Sequence, residues 1–292
     1  MKSGYVALIG RPNVGKSTLL NHLVGQKISI TSRRPQTTRH RILGIKTTPV
    51  GQAIYVDTPG LHSSQKRAMN RYLNRTAKST LVGVDVVIWV TDLAAWHDHD
   101  ETILSMFTEV HVPVIFAINK VDRIRDKNAL MPFLKEAADR YPFSAIVPVS
   151  ALQAVNLDAL ENSIMVLLPK GGLFYPEDQI TDKPERFLAA EIVREKLTRR
   201  LAKELPYALS VEIETFNEDA SLVKINAVIW VEKQTQKSIV IGNKGSVLKA
   251  VGQQARIDLE NLMDKKVYLE LWVKVKKGWS DSERALQSLG YE

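Results

Sequence analysis

The stretch Gly-Arg-Pro-Asn-Val-Gly-Lys-Ser at residues 10–17 constrains this chain more than any other eight residues in it. It follows an apolar, β-branched run (6–9) and precedes a helix-period segment that begins near Lys16. A glycine-bearing turn between a strand and a helix lets the backbone curl, so that successive amide N–H groups point inward at phosphate oxygens. The helix start adds the positive end of its dipole. Lys16 is the candidate point charge for β- and γ-phosphates, and the Ser17 hydroxyl the candidate ligand of Mg2+. Gly10, Arg11, Pro12, Asn13, Val14, Gly15 and Thr18 complete the candidate phosphate site. A glycine turn with an incidental lysine is the competing reading, and the flanking strand and helix disfavour it.

Further apolar runs rich in β-branched residues lie at 53–56, 86–90, 114–118 and 145–149, with an edge strand at 43–46 before the turn at 49–51. Helical patterns separate them. This alternation predicts an α/β domain over 1–168, a mostly parallel sheet with helices on both faces. Residues 169–184 hold Pro169, Gly171, Gly172, Pro176 and Pro184 and no apolar periodicity, which reads as a linker. A helix is expected from near Pro184, with Ala190, Val193, Leu197 and Leu201 on one face. Period-two strands follow at 207–213, 223–231 and 267–275, and a helix carrying Leu248, Val251, Ala255 and Leu259 precedes the last. Helix, strand, strand, helix, strand over 185–292 is an α+β domain.

Three motifs at strand ends define the ligand. Asp57, in Asp57-Thr58-Pro59-Gly60, closes the run at 53–56, at the carboxyl edge where open α/β sheets bind ligands. It can hold Mg2+ through water, and the Gly60 amide can meet a γ-phosphate. Asn119-Lys120-Val121-Asp122 closes the run at 114–118. Guanine offers two adjacent donors, N1–H and the 2-amino group, and the Asp122 carboxylate can accept both. Adenine would leave that carboxylate facing an acceptor, at a cost of about 1–3 kcal/mol or more. Asn119 would brace the loop and the Lys120 stem lie over the base. Ser150 and Ala151 close the next strand and offer a backbone N–H to guanine O6. The basic, aperiodic segment 31–41 carries Thr37 and Thr38, either of which can add a hydroxyl to Mg2+. Its position predicts a switch that orders on GTP. After Gly60 stands Leu61, where the familiar layout has a water-orienting glutamine; slow intrinsic hydrolysis is expected.

Composition narrows the class without choosing a partner. At 292 residues two domains are expected. Lys and Arg outnumber Asp and Glu by 40 to 32, compatible with an anionic partner, and the absence of cysteine excludes disulfides and thiolate metal sites. No targeting segment is read at the start. The apolar run at 82–90, broken by Gly83 and Asp85, is far short of the ~20 residues a membrane span needs.

In the second domain, Gly242-Asn243-Lys244-Gly245 sits between the apolar segment 238–241, which ends on Ile241, and a helix. Paired glycines let a sugar–phosphate backbone approach, and Lys244 adds charge. Lys249 and Arg256 on the helix, with Lys274, Lys276 and Lys277 at the end of the last strand, form a candidate phosphate track.

Taken together, the motifs at 10–17, 36–41 (Gln-Thr-Thr-Arg-His-Arg), 57–62 (Asp-Thr-Pro-Gly-Leu-His), 119–122, 241–245 and 271–276 resemble the bacterial Era-type GTPases over essentially the whole chain. The resemblance implies a G domain joined to a KH-type RNA-binding domain. It implies a GTP- and Mg2+-dependent switch that binds the 3′ end of 16S ribosomal RNA and acts on the precursor of the 30S subunit. By the same resemblance Thr38 is favoured over Thr37 as the switch ligand. An apolar residue at position 61 is in keeping, and Asn13 matches an asparagine that coordinates K+ in related GTPases. Lys16, Thr38, Gly60 and Asn13 are thus the candidate catalytic set. A monomer in the cytoplasm is expected, with peripheral contact at the inner membrane a further expectation. The alternatives are a GTPase whose second domain docks a protein or membrane surface, and an ATP-driven enzyme sharing only the phosphate loop; Asp122 argues against the latter.

Overall fold

Val6, Ala7 and Leu8 are fully buried, as the near-continuous apolar run of a strand covered on both faces demands. They belong to β1 (Lys2–Ile9), which leads through the glycine-bearing loop into α1 (Lys16–Val24). The computed structural model describes residues 1–32, 34, 36–60, 68–92, 96–108, 111–124, 128, 130–201 and 205–289. The chain divides into two units, the first made of 1–29, 38–65 and 70–182, the second of 30–37, 66–69 and 183–292.

In the first unit α1 is followed by β2 (Ile42–Thr48), β3 (Gly51–Asp57), α2 (Ala68–Ser79, of which the first two residues group with the second unit), β4 (Val86–Asp92) and α3 (Asp98–Phe107). Then come β5 (Val114–Asn119), α4 (Leu130–Arg140), β6 (Ala145–Pro148) and α5 (Leu157–Leu167). Among the described residues the strands form one sheet in the order β2-β3-β1-β4-β5-β6. Every neighbouring pair is parallel except β2 with β3, a hairpin at the edge. Ala7, Ile9, Val87, Trp89, Val114, Phe116 and Ile118 share one face and pack with Ile103 and Phe107 of α3 and Phe133 and Ala137 of α4. Spacing by two on the strands and by three or four on the helices makes this layer continuous. Residues 169–182 belong to this unit. Pro169 O accepts from Ser3 N–H (3.0 Å) and Ile180 O from Ile45 N–H (2.8 Å). The buried Gln52 holds Phe174 and Tyr175: its Oε1 accepts from both amides (2.9 and 3.1 Å) and its Nε2 donates to Tyr175 O (2.9 Å).

The second unit runs α6 (Glu185–Arg200), β7 (Leu209–Glu218), β8 (Leu222–Val231), α7 (Gln234–Ile241), α8 (Ser246–Met263), β9 (Lys266–Val275) and α9 (Glu283–Ser288). Its sheet order is β7-β8-β9, with β7/β8 antiparallel and β8/β9 parallel. One core joins Val193 and Leu197 of α6, Val251, Ala255 and Leu259 of α8, and Ile225, Ala227 and Ile229 of β8. The element order departs from the expected helix-strand-strand-helix-strand by α7 and α9. Residues 238–241, read as an isolated apolar segment, are the last turn of α7, and Tyr207 lies in a 3-10 turn ahead of β7 instead of opening it.

Candidate functional site

The strand ends of the first unit bring the predicted phosphate and metal residues to one place. Lys16 is 6 % exposed, and its Nζ donates to Gly10 O and Arg11 O, both at 2.9 Å. Burial lowers its pKa to about 8, partly offset by the Asp57 charge. Ser17 Oγ donates to Asp57 Oδ2 at 2.7 Å and lies 2.8 Å from Thr38 Oγ1. Thr37 Oγ1 is engaged elsewhere, 2.7 Å from Ser32 Oγ and donating to Arg34 O at 2.6 Å. Asp57 is fully buried, and burial raises its pKa against the pull of Ser17 and Lys16. Among the described residues its buried Oδ1 meets no hydrogen-bond partner of good geometry.

An orphaned buried carboxylate oxygen beside two hydroxyls is an all-oxygen donor set, the kind Mg2+ prefers. Among the described residues no group of three or more His, Cys, Asp or Glu is placed to hold a metal. Two hydroxyls, one carboxylate and the phosphates of a nucleotide would have to hold it here, and the residues fit.

Sequence reading missed Ser29, whose buried hydroxyl also donates to Asp57 Oδ2, at 2.9 Å. Its backbone N–H and carbonyl are both held by the Asn21 side chain (2.9 and 2.7 Å), so the position is fixed from α1. A polar residue 28 positions upstream of Asp57 carries no local signal of this. Thr58 anchors the following turn by donating to Leu8 O at 2.9 Å. Leu61 lies outside the described residues, as does His62 of the same motif.

The base-reading motif is interlocked with the phosphate loop. Asn119 Nδ2 donates to Val14 O (2.8 Å), and Asn119 Oδ1 accepts from Ala151 N–H (2.9 Å). A Cβ on Gly15 would lie 2.2 Å from Asn119 Nδ2, and Gly15 adopts φ +107°. Only glycine permits that approach and that backbone conformation. Lys120, also left-handed at φ +63°, sends Nζ to Asn13 O (2.7 Å) and Asp92 Oδ2 (2.6 Å). Val121 N–H donates to Val149 O (3.2 Å), and Asp122 Oδ1 accepts from Ser150 Oγ (2.5 Å). One expectation needs correcting. The backbone N–H groups of Ser150 and Ala151 are already engaged, donating to Val155 O and Asn119 Oδ1 at 3.1 and 2.9 Å. Neither stands free for guanine O6 in this state; Ser150 contributes instead through its hydroxyl.

In the second unit α7 ends at Gly242, with φ +75°, where a Cβ would lie 2.5 Å from Val247 Cγ2. Asn243 and Lys244 project from the turn, both exposed, with Lys244 itself left-handed at φ +48°. Gly245 then starts α8, along which Lys249 and Arg256 are exposed seven residues apart on one face. The predicted track does not hold together beyond them. Val273 and Val275 of β9 face the core with α8, so strand alternation turns Lys274 to the other side of the sheet. There Lys274 Nζ pairs with Glu214 Oε1 (2.6 Å), and the ammonium groups of Lys274 and Lys276 each lie 5.8 Å from the Trp230 ring centroid. Lys277, beyond the strand, is exposed.

Residues 5–120 match the protein family described as "50S ribosome-binding GTPase", and residues 204–280 match the KH domain. The chain is 56 % identical to the GTPase Era of Ectopseudomonas mendocina over 99 % of its own length and 97 % of the relative's. It is 58 % identical to the GTPase Era of Pseudomonas fluorescens over the same shares. Among solved structures it is similar to a single-substitution variant of Aquifex aeolicus Era bound to GDP·AlF4− (TM-score 0.96, 40 % identity, 100 % of this chain and 99 % of that one). It is equally similar to an Era in complex with MgGDPNP and nucleotides 1506–1542 of 16S ribosomal RNA (TM-score 0.96, 41 % identity, the same coverage). With the interlocked loops of the first unit and the KH domain of the second, these similarities place the chain in the Era family of GTPases.

Proposed function

We propose that this GTPase uses its nucleotide state to time occupancy of the 3′ segment of small-subunit ribosomal RNA during maturation of the 30S subunit. The observation that carries the switch is the Ser17 hydroxyl, which lies within hydrogen-bond distance of both Thr38 Oγ1 and Asp57 Oδ2. Thr38 lies inside the segment 31–41 expected to act as the switch, so whatever holds its hydroxyl restrains that segment.

GTP binding exchanges partners at groups already in place. Lys16 gives up the carbonyls of Gly10 and Arg11 for phosphate oxygens, and the inward-facing amides of the loop accept the remaining negative charge. Asp122, steadied on one oxygen by Ser150, takes the two guanine donors. Mg2+, when bound through Ser17, Thr38 and Asp57, neutralises charge on the β- and γ-phosphates. Hydrolysis forms a bond from water oxygen to the γ-phosphorus and breaks the bond to the β-bridging oxygen, and the water proton ends on phosphate. Lys16 stabilises the charge that gathers on the leaving oxygen. The Gly60 amide is the group we assign to report the loss of the γ-phosphate. With Leu61 unable to orient water, intrinsic turnover is slow. Asn13 is the residue we assign to K+, and turnover in KCl exceeding that in NaCl is the expected sign; equal rates remove the assignment.

On the RNA side, the exposed turn at 242–245 and the Lys249–Arg256 face of α8 supply backbone access and positive charge. The related Era solved with nucleotides 1506–1542 of 16S ribosomal RNA supports that partner. This reading puts the protein in the cytoplasm with its RNA, and no described helix is long and apolar enough to cross a membrane. The test is affinity for the 3′ segment of 16S ribosomal RNA measured with GDP, with GDPNP and without nucleotide. Tighter binding with GDPNP supports the timer, and equal affinity in all three states refutes it. No binding in any state would leave a protein or membrane surface as the partner of the second domain.

A further inference from the structure

Asp92 ends β4 and belongs to none of the motifs that announce the nucleotide site, yet both of its carboxylate oxygens point into that site. Oδ1 accepts from Arg11 Nη2 at 3.2 Å, and Oδ2 accepts from Lys120 Nζ at 2.6 Å. Arg11 belongs to the phosphate loop and Lys120 to the base loop, and the carboxylate is the charge that joins them. The bridge has a second support on each side. Lys120 Nζ also donates to Asn13 O at 2.7 Å, and Arg11 Nε donates to Asp100 Oδ1 at 3.1 Å. Asp100 is 1 % exposed, and its other oxygen accepts from His97 N–H (2.9 Å) at the start of α3. The parallel register that sets Asp92 beside Asn119 brings these partners together, since each strand then ends at the same level of the sheet.

We propose that Asp92 is a positioning residue for nucleotide binding: by holding the Lys120 ammonium and the Arg11 guanidinium at once, it fixes the base loop against the phosphate loop before GTP or GDP enters. A lysine whose stem must lie flat over a guanine ring gains from having its head tethered, because the rotamer entropy is lost on folding and not on binding. The carboxylate is within charge-assisted distance of both cations, and side chains only 14–21 % exposed feel little screening. Asp92 acts through Lys120 and Arg11, the two side chains it holds. The proposal rests on the guanine-nucleotide reading of the site.

The test is a double-mutant cycle read by release of a fluorescent GDP from the full-length protein. Asp92→Asn keeps the side-chain volume and removes the charge. It should speed release about tenfold, equivalent to about 1.4 kcal/mol, and raise KM for GTP while kcat at saturating GTP stays within about twofold. Lys120→Ala alone should also speed release. In the Lys120→Ala background, Asp92→Asn should add no more than about twofold, because its main partner is already gone. Asp92→Glu, which restores the charge on a longer stem, should recover part of the affinity. Multiplicative effects of the two substitutions, or a fall in kcat with KM unchanged, would overturn the positioning role. Faster release in Lys120→Ala with wild-type release in Asp92→Asn overturns the bridge and leaves the nucleotide reading standing. Unchanged release in Lys120→Ala sinks both.

Discussion

The loop at 10–17 and the loop at 242–245 are built from the same materials, a pair of glycines, an asparagine and a lysine ahead of a helix, and they put them to opposite uses. In the first, Lys16 is buried on two backbone carbonyls and Gly15 is closed over by the Asn119 amide. In the second, Asn243 and Lys244 stand in water. A small ligand with fixed geometry is best met by groups already held in place by one another, which need only exchange partners when it arrives. A flexible polymer is met by charges that remain hydrated until contact, where screening and counterion release set the affinity. The difference teaches that a shared set of glycines, asparagine and lysine gives no measure of function until its burial is known.

The sharpest way to break this contrast is to remove the two lysines. Lys16→Ala should weaken GTP and GDP binding by roughly a hundredfold or more, since several charge-assisted hydrogen bonds to phosphate go together, each about 1.5–3 kcal/mol. Calorimetric titration with GDP reads it, and a change under tenfold would mean the buried lysine is structural. The double substitution Asn243→Asp, Lys244→Asp should reduce affinity for the 16S 3′ segment at least about tenfold while leaving the unfolding temperature and GTP turnover near wild type. A lowered unfolding temperature would show that this loop, like its counterpart, is tied into the fold.

A smaller effect separates the two lysines by pH. The free Lys16 titrates near 8, and bound phosphate favours its charged form. Above pH 8 the free protein has lost the proton that the complex keeps, so binding must take one up and affinity must fall. Between about pH 7.5 and 9 the GDP dissociation constant should rise by up to about tenfold, with proton uptake visible as a buffer-dependent heat of binding. A pH-independent affinity over that window would show that burial does not depress Lys16 in solution. Least affected should be Lys274→Ala. Its ammonium is held by Glu214 on the sheet face opposite α8, so RNA affinity should change by no more than about twofold, whereas Arg256→Ala should cost more. Equal losses would place RNA on both faces.

What was legible in the sequence was local. Residues 10–17, 57–60 and 119–122 announce themselves because their chemistry and backbone requirements lie within a few positions of each other, between strands that period and composition reveal. What was illegible depended on partners far along the chain. Asp92 reaches Arg11 across 81 positions, and Ser29 reaches Asp57 across 28, through strand and helix packing that no local pattern encodes. Strand alternation should have separated Lys274 from the helix face, and a cluster drawn from sequence proximity hid it. Helix α7 escaped for another reason: among its residues only Val240 is fully buried, so no apolar stripe forms. Its start is capped by Gln236, which accepts from the Glu232 and Lys233 amides at 2.8 and 2.9 Å, without the serine, threonine or aspartate that usually marks a first turn.

The 2.2 Å that separates Asn119 from the place where a Gly15 side chain would begin has a consequence for genetics. The demand for glycine at that position comes from a neighbouring amide of the same chain and exists before any nucleotide arrives. An allele that changes Gly15 should therefore behave as a folding lesion as well as a binding lesion. Its protein should be cleared from the cell at elevated temperature, and excess guanine nucleotide should not rescue it. An Asp122 allele, altered at an exposed carboxylate, should accumulate to normal levels and fail only at its task.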